Sequence, residues 1–373
     1  MIGRRGVLKA AGALAVLRSG VASADELLLR HGGAPQNLAT PLEYFDGAIT
    51  PTRVFFVRSH FGAPSLDPTR KTTFDGMVTT PLTFDVGELR KSFPEVTLTT
   101  VLQCAGNGRA LQKPRVPGVQ WVHGAMGQAT FTGVRLKDVL TKAGLSKDAL
   151  FLRVSGADAP PKPTVPAFIR SLPIERAMDP TTLLAYRMNG EDLTHAHGAP
   201  LRLVVPGWAG DHWVKWLVSV RAQKEEDTGF FMKTAYRMPT EPVEPGAAVP
   251  PEKMKPATTF PIKSIIARPG GDKRPLGPQE VVGLAFSGNA PIASVEVSTD
   301  GGKTWAKATL EGEGGVGRAQ VFRFRFDQKE PGHVKAMARA KDKKGNEQPE
   351  SPAWNPSGYF WNGWHAVEWE VGT

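Results

Sequence analysis

The chain has 373 residues, 40% hydrophobic and 22% charged, a globular composition with room for two or more domains. Its 40 glycines and 32 prolines favour strands and loops over long helices while staying short of a disordered composition, and its single cysteine excludes an intrachain disulfide. The formal charge of +10 suits anionic small molecules or an acidic protein face. No basic stripe, zinc spacing or aromatic-basic motif supports nucleic-acid binding.

Residues 1–24 read as a twin-arginine export signal. Arg4-Arg5 precedes a short apolar run from Ala10 to Leu17, and Ala22-Ser23-Ala24 supplies the cleavage pattern. The apolar run is far below the roughly 20 residues a membrane span needs, so the expectation is a periplasmic protein without a membrane span. The twin-arginine route carries folded proteins, often ones loaded with a cofactor.

Residues 25–240 mix short strands and helices without an internal repeat. They hold no Gly-x-Gly-x-x-Gly after a strand and no Gly-x-Ser-x-Gly elbow, so neither a dinucleotide fold nor a serine hydrolase has support. What stands out is a series of short polar clusters: Arg58-Ser59-His60, the Cys104 loop, His195-Ala196-His197, Arg202, Asp211-His212, Lys215 and Tyr236-Arg237. Read alone, each has a bland explanation as solvated loop residues, and His-x-His is a weak zinc signal. Together they gather anion-seeking groups around one thiol.

A proline-punctuated stretch follows, and residues 241–257 are expected to form an extended, fairly stiff linker. Beyond it, alternation takes over. Val321-Phe322-Arg323-Phe324-Arg325-Phe326 places three phenylalanines on one strand face and two arginines on the other. With Val295-Glu296-Val297-Ser298 and Val334 to Ala340, this predicts an immunoglobulin-type β-sandwich over residues 258–373. Nothing in that sandwich has the look of a catalytic constellation, which points to assembly as its role.

Cys104 lies in Leu102-Gln103-Cys104-Ala105-Gly106-Asn107-Gly108-Arg109. A lone thiol is most often a small core hydrophobe, but small neighbours and a nearby arginine also suit a ligand or nucleophile. With Thr52–His60, Leu184–Glu191, His197–Gly207, Val214–Leu217 and Ser298–Trp305, this loop resembles the sulfite oxidase family of molybdenum enzymes, motif by motif and in order. The resemblance implies an α+β architecture: a mixed α/β molybdopterin domain, then a sandwich used for dimerisation.

It further implies a molybdenum-molybdopterin cofactor with Cys104 as the one protein ligand to the metal, a soft thiolate on a redox metal. Arg58, Arg109, Tyr236 and Trp121 would line the substrate pocket, and His60, Asp158, His197, Arg202 and Lys215 would hold the pterin and its phosphate. The implied reaction is oxidation of sulfite to sulfate. No Cys-x-x-Cys-His haem attachment is present, so electrons are expected to pass to a separate c-type cytochrome through a small, transient contact, and the protein is expected to be a homodimer. Three departures from the family pattern stand at Gly108, at Gly210-Asp211-His212-Trp213 and at Ala235. The rival readings are a sulfane dehydrogenase subunit of a thiosulfate-oxidising complex, an exported methionine sulfoxide reductase, whose relatives typically lack the sandwich, and a non-catalytic oxyanion-binding module that would not need Cys104.

Overall fold

The computed structural model describes residues 28–31, 35–65, 67–271 and 273–372; the twin-arginine segment and its cleavage pattern lie outside them. Two five-stranded sheets make up most of the first domain. In one, Val96–Gln103 pairs with Met126–Arg135, which pairs with Leu183–Met188; Glu191–Asp192 and Arg202–Val204 both add to that last strand. The run from Val96 to Val101, β-branched but for Leu98, suits a pleated surface. Its register is marked by Thr97 opposite Thr132, hydroxyl to hydroxyl at 2.7 Å.

The second sheet runs Leu82–Phe84, Thr72–Gly76, Leu217–Gln223, Phe151–Gly156, Ile169–Pro173, and is antiparallel except where Thr72–Gly76 meets Leu217–Gln223. Among the described residues, four short helices pack on this layer, two of them of seven or eight residues. Val86–Ser92 starts on an Asp85/Glu88 capping box. Leu136–Ala143 buries Leu136, Val139, Leu140 and Ala143 at helical spacing and stops at Gly144, whose φ of 70° a residue with a side chain rarely adopts. Phe74, Phe131, Leu140, Leu152, Leu183 and Trp213 join these elements in one core.

The second domain is a sandwich of two four-stranded antiparallel sheets, Lys263–Arg268, Gly277–Phe286, Gln320–Gln328 and Thr309–Glu311 against Ala306–Lys307, Ile292–Ser298, Gly332–Asp342 and His365–Val371. The alternation is realised as expected. Phe322, Phe324 and Phe326 pack on the core formed by Val281, Val295, Val334 and Trp369. On the other face Arg323 and Arg325 reach Glu280 at 3.3 and 2.7 Å. A mixed α/β domain followed by a β-sandwich is thus the architecture.

The junction departs from expectation. Arg237–Pro239 pairs antiparallel with Met254–Pro256, and Thr240 N donates to Lys253 O at 2.9 Å, so the proline-rich stretch is a closed loop and not an extended spacer. Its prolines cluster where no ladder N–H is required. The two domains share a further core, in which Phe45, Val101, Ala105 and Met126 meet Phe260, Ile265, Phe286, Val321 and Phe360. The strand leading to Cys104 is fastened directly to the sandwich: Val101 N and Thr100 Oγ1 donate to Gly317 O at 2.7 and 3.0 Å. The Gln128 side chain likewise donates to Ala319 O and accepts from Ala319 N.

Candidate active site

Cys104 begins the turn that follows Val96–Gln103. Its N donates to Ala125 O at 2.9 Å, and the buried Asn107 braces the turn, donating to Gln103 Oε1 and accepting from Ala125 N. The glycines here make room for an arginine. A Cβ on Gly106, Gly118 or Gly358 would stand 2.7–2.8 Å from Arg109 side-chain atoms. Arg109 is buried, with Nε donating to Ser357 O and Nη1 to Val119 O, both at 3.0 Å. Burial pushes the Cys104 thiol up, against the pull of Arg58 and Arg109. A bound cation would be needed to hold it as thiolate.

Two clefts meet at Cys104. One, about 850 Å³ including its open mouth, is lined by Arg58, His60, Cys104, Arg109, Trp121 and Tyr236 together with Ser357 and Tyr359. The other, about 720 Å³, is lined by Arg58, His60, Cys104, Asp158, His197, Arg202, Lys215, Tyr236 and Asp211. Every residue that the sequence singled out for substrate or cofactor therefore borders one cleft or both. Of the other clusters, His195 lies against Trp216, whose Nε1 donates to His195 O. Arg237 is engaged with Met232 O and Met254 O.

Where the clefts join, His60 Nδ1 lies 3.0 Å from Arg58 Nη2 and 3.3 Å from the Tyr236 hydroxyl. Burial, then the Arg58 charge, holds His60 down at about 3, so at neutral pH its ring is uncharged and Nδ1 accepts from both donors. Burial also pushes the Tyr236 hydroxyl up, which keeps its proton.

The second cleft concentrates positive charge in a dry place. Lys215 Nζ donates to Ser59 Oγ at 2.8 Å and Ala196 O at 2.9 Å, and burial followed by Arg202 pulls it well below its usual range. Burial takes Arg202 to about 9 and His197 to about 3, while it raises Asp158. Like charges gathered away from water call for an anion. Gly198, at φ 104°, lets the chain pass where a Cβ would sit 3.0 Å from Lys215 Cβ and 3.2 Å from Arg202 Cβ. Arg202 Nε in this cleft and Trp121 Nε1 in the other are buried donors with no protein partner. A thiol beside a cationic, donor-rich cleft fits a metal carried by a phosphate-bearing organic cofactor.

Sequence reasoning missed four contributors. Ser357 and Tyr359 come from the sandwich side. Arg170, fully buried, stands 2.7 Å from the Asp211 carboxylate and 5.1 Å from the Tyr236 ring centre. Phe168 packs on His60 and Tyr236. The departure noted at Asp211 was the one available signal, since a buried carboxylate implies a buried cation somewhere.

Comparison with known proteins accords with this geometry. Residues 60–231 match the model of the oxidoreductase molybdopterin binding domain, and residues 255–371 that of the Mo-co oxidoreductase dimerisation domain. Mitochondrial sulfite oxidase of Mus musculus is 36% identical over 90% of this chain, which spans 64% of that enzyme's length. Sulfite oxidase of Arabidopsis thaliana is 33% identical over 87% of this chain and 88% of the plant enzyme. The sulfane dehydrogenase SoxCD of Paracoccus pantotrophus superposes with a TM-score of 0.80 at 28% identity, covering 98% of this chain and 96% of that one. The chain belongs to the sulfite oxidase family of molybdenum oxidoreductases.

Proposed function

We propose that this protein is an exported sulfite dehydrogenase. It converts sulfite and water to sulfate, two protons and two electrons at a molybdenum-molybdopterin centre whose one protein ligand is Cys104 Sγ. The electrons pass singly to a separate c-type cytochrome in the periplasm, and the protein works as a homodimer through its sandwich. The observation that carries this reading is Cys104 at the meeting point of an arginine-lined cleft and a lysine- and arginine-rich one.

When bound, the cofactor supplies the two-electron acceptor and the oxygen-transfer centre. The protein's own residues bind and orient. Arg58 and Arg109 present charge to the incoming oxyanion, each such contact contributing about 1.5–3 kcal/mol. Trp121 Nε1 adds a neutral donor, and the protonated Tyr236 hydroxyl can add a second by turning its one proton from His60 Nδ1 to the oxyanion. Neutral His60 holds Arg58 and Tyr236 in register without adding charge of its own. In the second cleft Lys215, Arg202 and the neutral His197 take the phosphate side of the cofactor, and the carboxylate of Asp158 stands among them.

The test is sulfite-dependent reduction of a c-type cytochrome by the molybdenum-loaded protein, with dioxygen as the comparison acceptor. Saturable cytochrome reduction with little oxygen uptake is expected; no turnover of sulfite with either acceptor would overturn the reading. The extent of the SoxCD match favours one second reading, a sulfane dehydrogenase. Oxidation of a sulfane sulfur in preference to sulfite would select it.

A further inference from the structure

Tyr236 is held in a conformation it does not favour. Its φ of 56° lies in the left-handed region, costly for an aromatic residue and stable only where the surroundings impose it. Much of what imposes it comes from the far end of the chain. Residues 354–360 form a strap lying over the first domain: Trp354 Nε1 donates to Pro114 O, Phe360 N to Ala105 O, and Ser357 Oγ to Arg237 O, at 3.0, 2.8 and 3.0 Å. Asn355 fixes Tyr359 within the strap by bonding both its N and its O, at 3.0 and 2.9 Å.

So fixed, Tyr359 touches two members of the mouth cleft at once. Its ring stacks on that of Tyr236, with centres 5.6 Å apart and planes 4° from parallel, and its hydroxyl accepts from Tyr236 N at 3.3 Å. The Arg109 guanidinium lies 5.3 Å from the Tyr359 ring centre, within cation–π range. We propose that Tyr359 is a positioning residue that couples Tyr236 to Arg109, so that these two groups bind an oxyanion as one unit. The sandwich side of the chain then takes part in substrate recognition as well as assembly. This inference rests on reading the mouth cleft as the oxyanion site.

The experiment measures binding of inorganic sulfate, by calorimetry, to the oxidised holoenzyme and to Tyr359→Leu, Arg109→Gln and their double variant, with thermal midpoints recorded alongside. Each single change is expected to weaken sulfate binding about tenfold. The double variant is expected to fall well short of the hundredfold product, because the second change removes an interaction already lost. Tyr359→Phe keeps the ring and is expected to restore most of the affinity lost in Tyr359→Leu. Tyr359→Met replaces the leucine variant should that one fail to fold. Unchanged affinity in the leucine or methionine variant, or single effects that multiply fully, would overturn the role of Tyr359. Wild-type holoenzyme that binds no sulfate would instead overturn the oxyanion reading itself.

Discussion

Among the described residues, two groups of buried basic side chains differ instructively. One is the set around Cys104. The other lies between the domains, where His123, His365 and Lys263 gather at Trp361. Lys263 Nζ donates to Trp361 O at 3.2 Å, the two imidazoles are 4.3 Å apart between centres, and His365 Nδ1 accepts from Ile266 N. Burial drives both groups the same way, taking Lys263 to about 7 and His365 to about 3, much as it does Lys215 and His197. Yet neither Lys263 nor His365 borders either cleft. Titration behaviour alone therefore does not separate a site from a packed interior. Space does, since a cleft borders one group and not the other.

The sharpest test of that distinction is Cys104→Ser, expected to abolish turnover while circular dichroism and thermal midpoint stay near wild type; near-normal activity would break the assignment. Next comes Arg109→Gln, expected to raise the Michaelis constant for sulfite about tenfold or more. Steady-state kinetics with Lys263→Met as the control should show no such change, although both side chains are buried.

Lys263→Met should instead act on stability. The folded-state value near 7 lies below the ordinary 10.5, so the unfolded chain holds this proton more tightly. Stability from this group is fully present above about 10.5, erodes as pH falls toward 7, and is lost below that. The methionine variant should thus melt higher than wild type by a margin larger at pH 7 than at pH 10, and an equal margin at both would refute the shift. The smallest effect is expected at His365. Its contribution is present above 6.5 and lost as pH falls toward about 3, so His365→Asn, which keeps an acceptor for Ile266 N, should flatten part of the acid limb of a melting-temperature profile.

Much of this was readable from local pattern. The alternation at Val321 to Phe326 announces a strand whose two faces meet different surroundings, and the structure delivers them to Trp369 and Glu280. Cationic groups clustered in short motifs beside one thiol pointed to the region, whereas Trp121 and Asp158 were reached only through the family resemblance. Tyr359 was not, for its partners Arg109 and Tyr236 lie 250 and 123 positions away and no periodicity links them. Arg170 escaped notice for the same reason, since its counter-charge at Asp211 is met only across the fold. The proline-rich stretch misled because composition speaks to stiffness, whereas its shape is set by the pairing of its two ends.

That pairing, with the bonds from Gly317 to the strand that delivers Cys104 and from Ala319 to its neighbour Met126–Arg135, makes the covalent connection between the domains redundant for holding them together. A cut within the loop between Pro239 and Met254 would leave two fragments still locked by shared core and hydrogen bonds. The same two pieces, made separately, should recognise one another and assemble the cleft between them, whereas the first piece alone would lose the strap, the Arg109 anchor at Ser357 and the brace on Tyr236 in a single step.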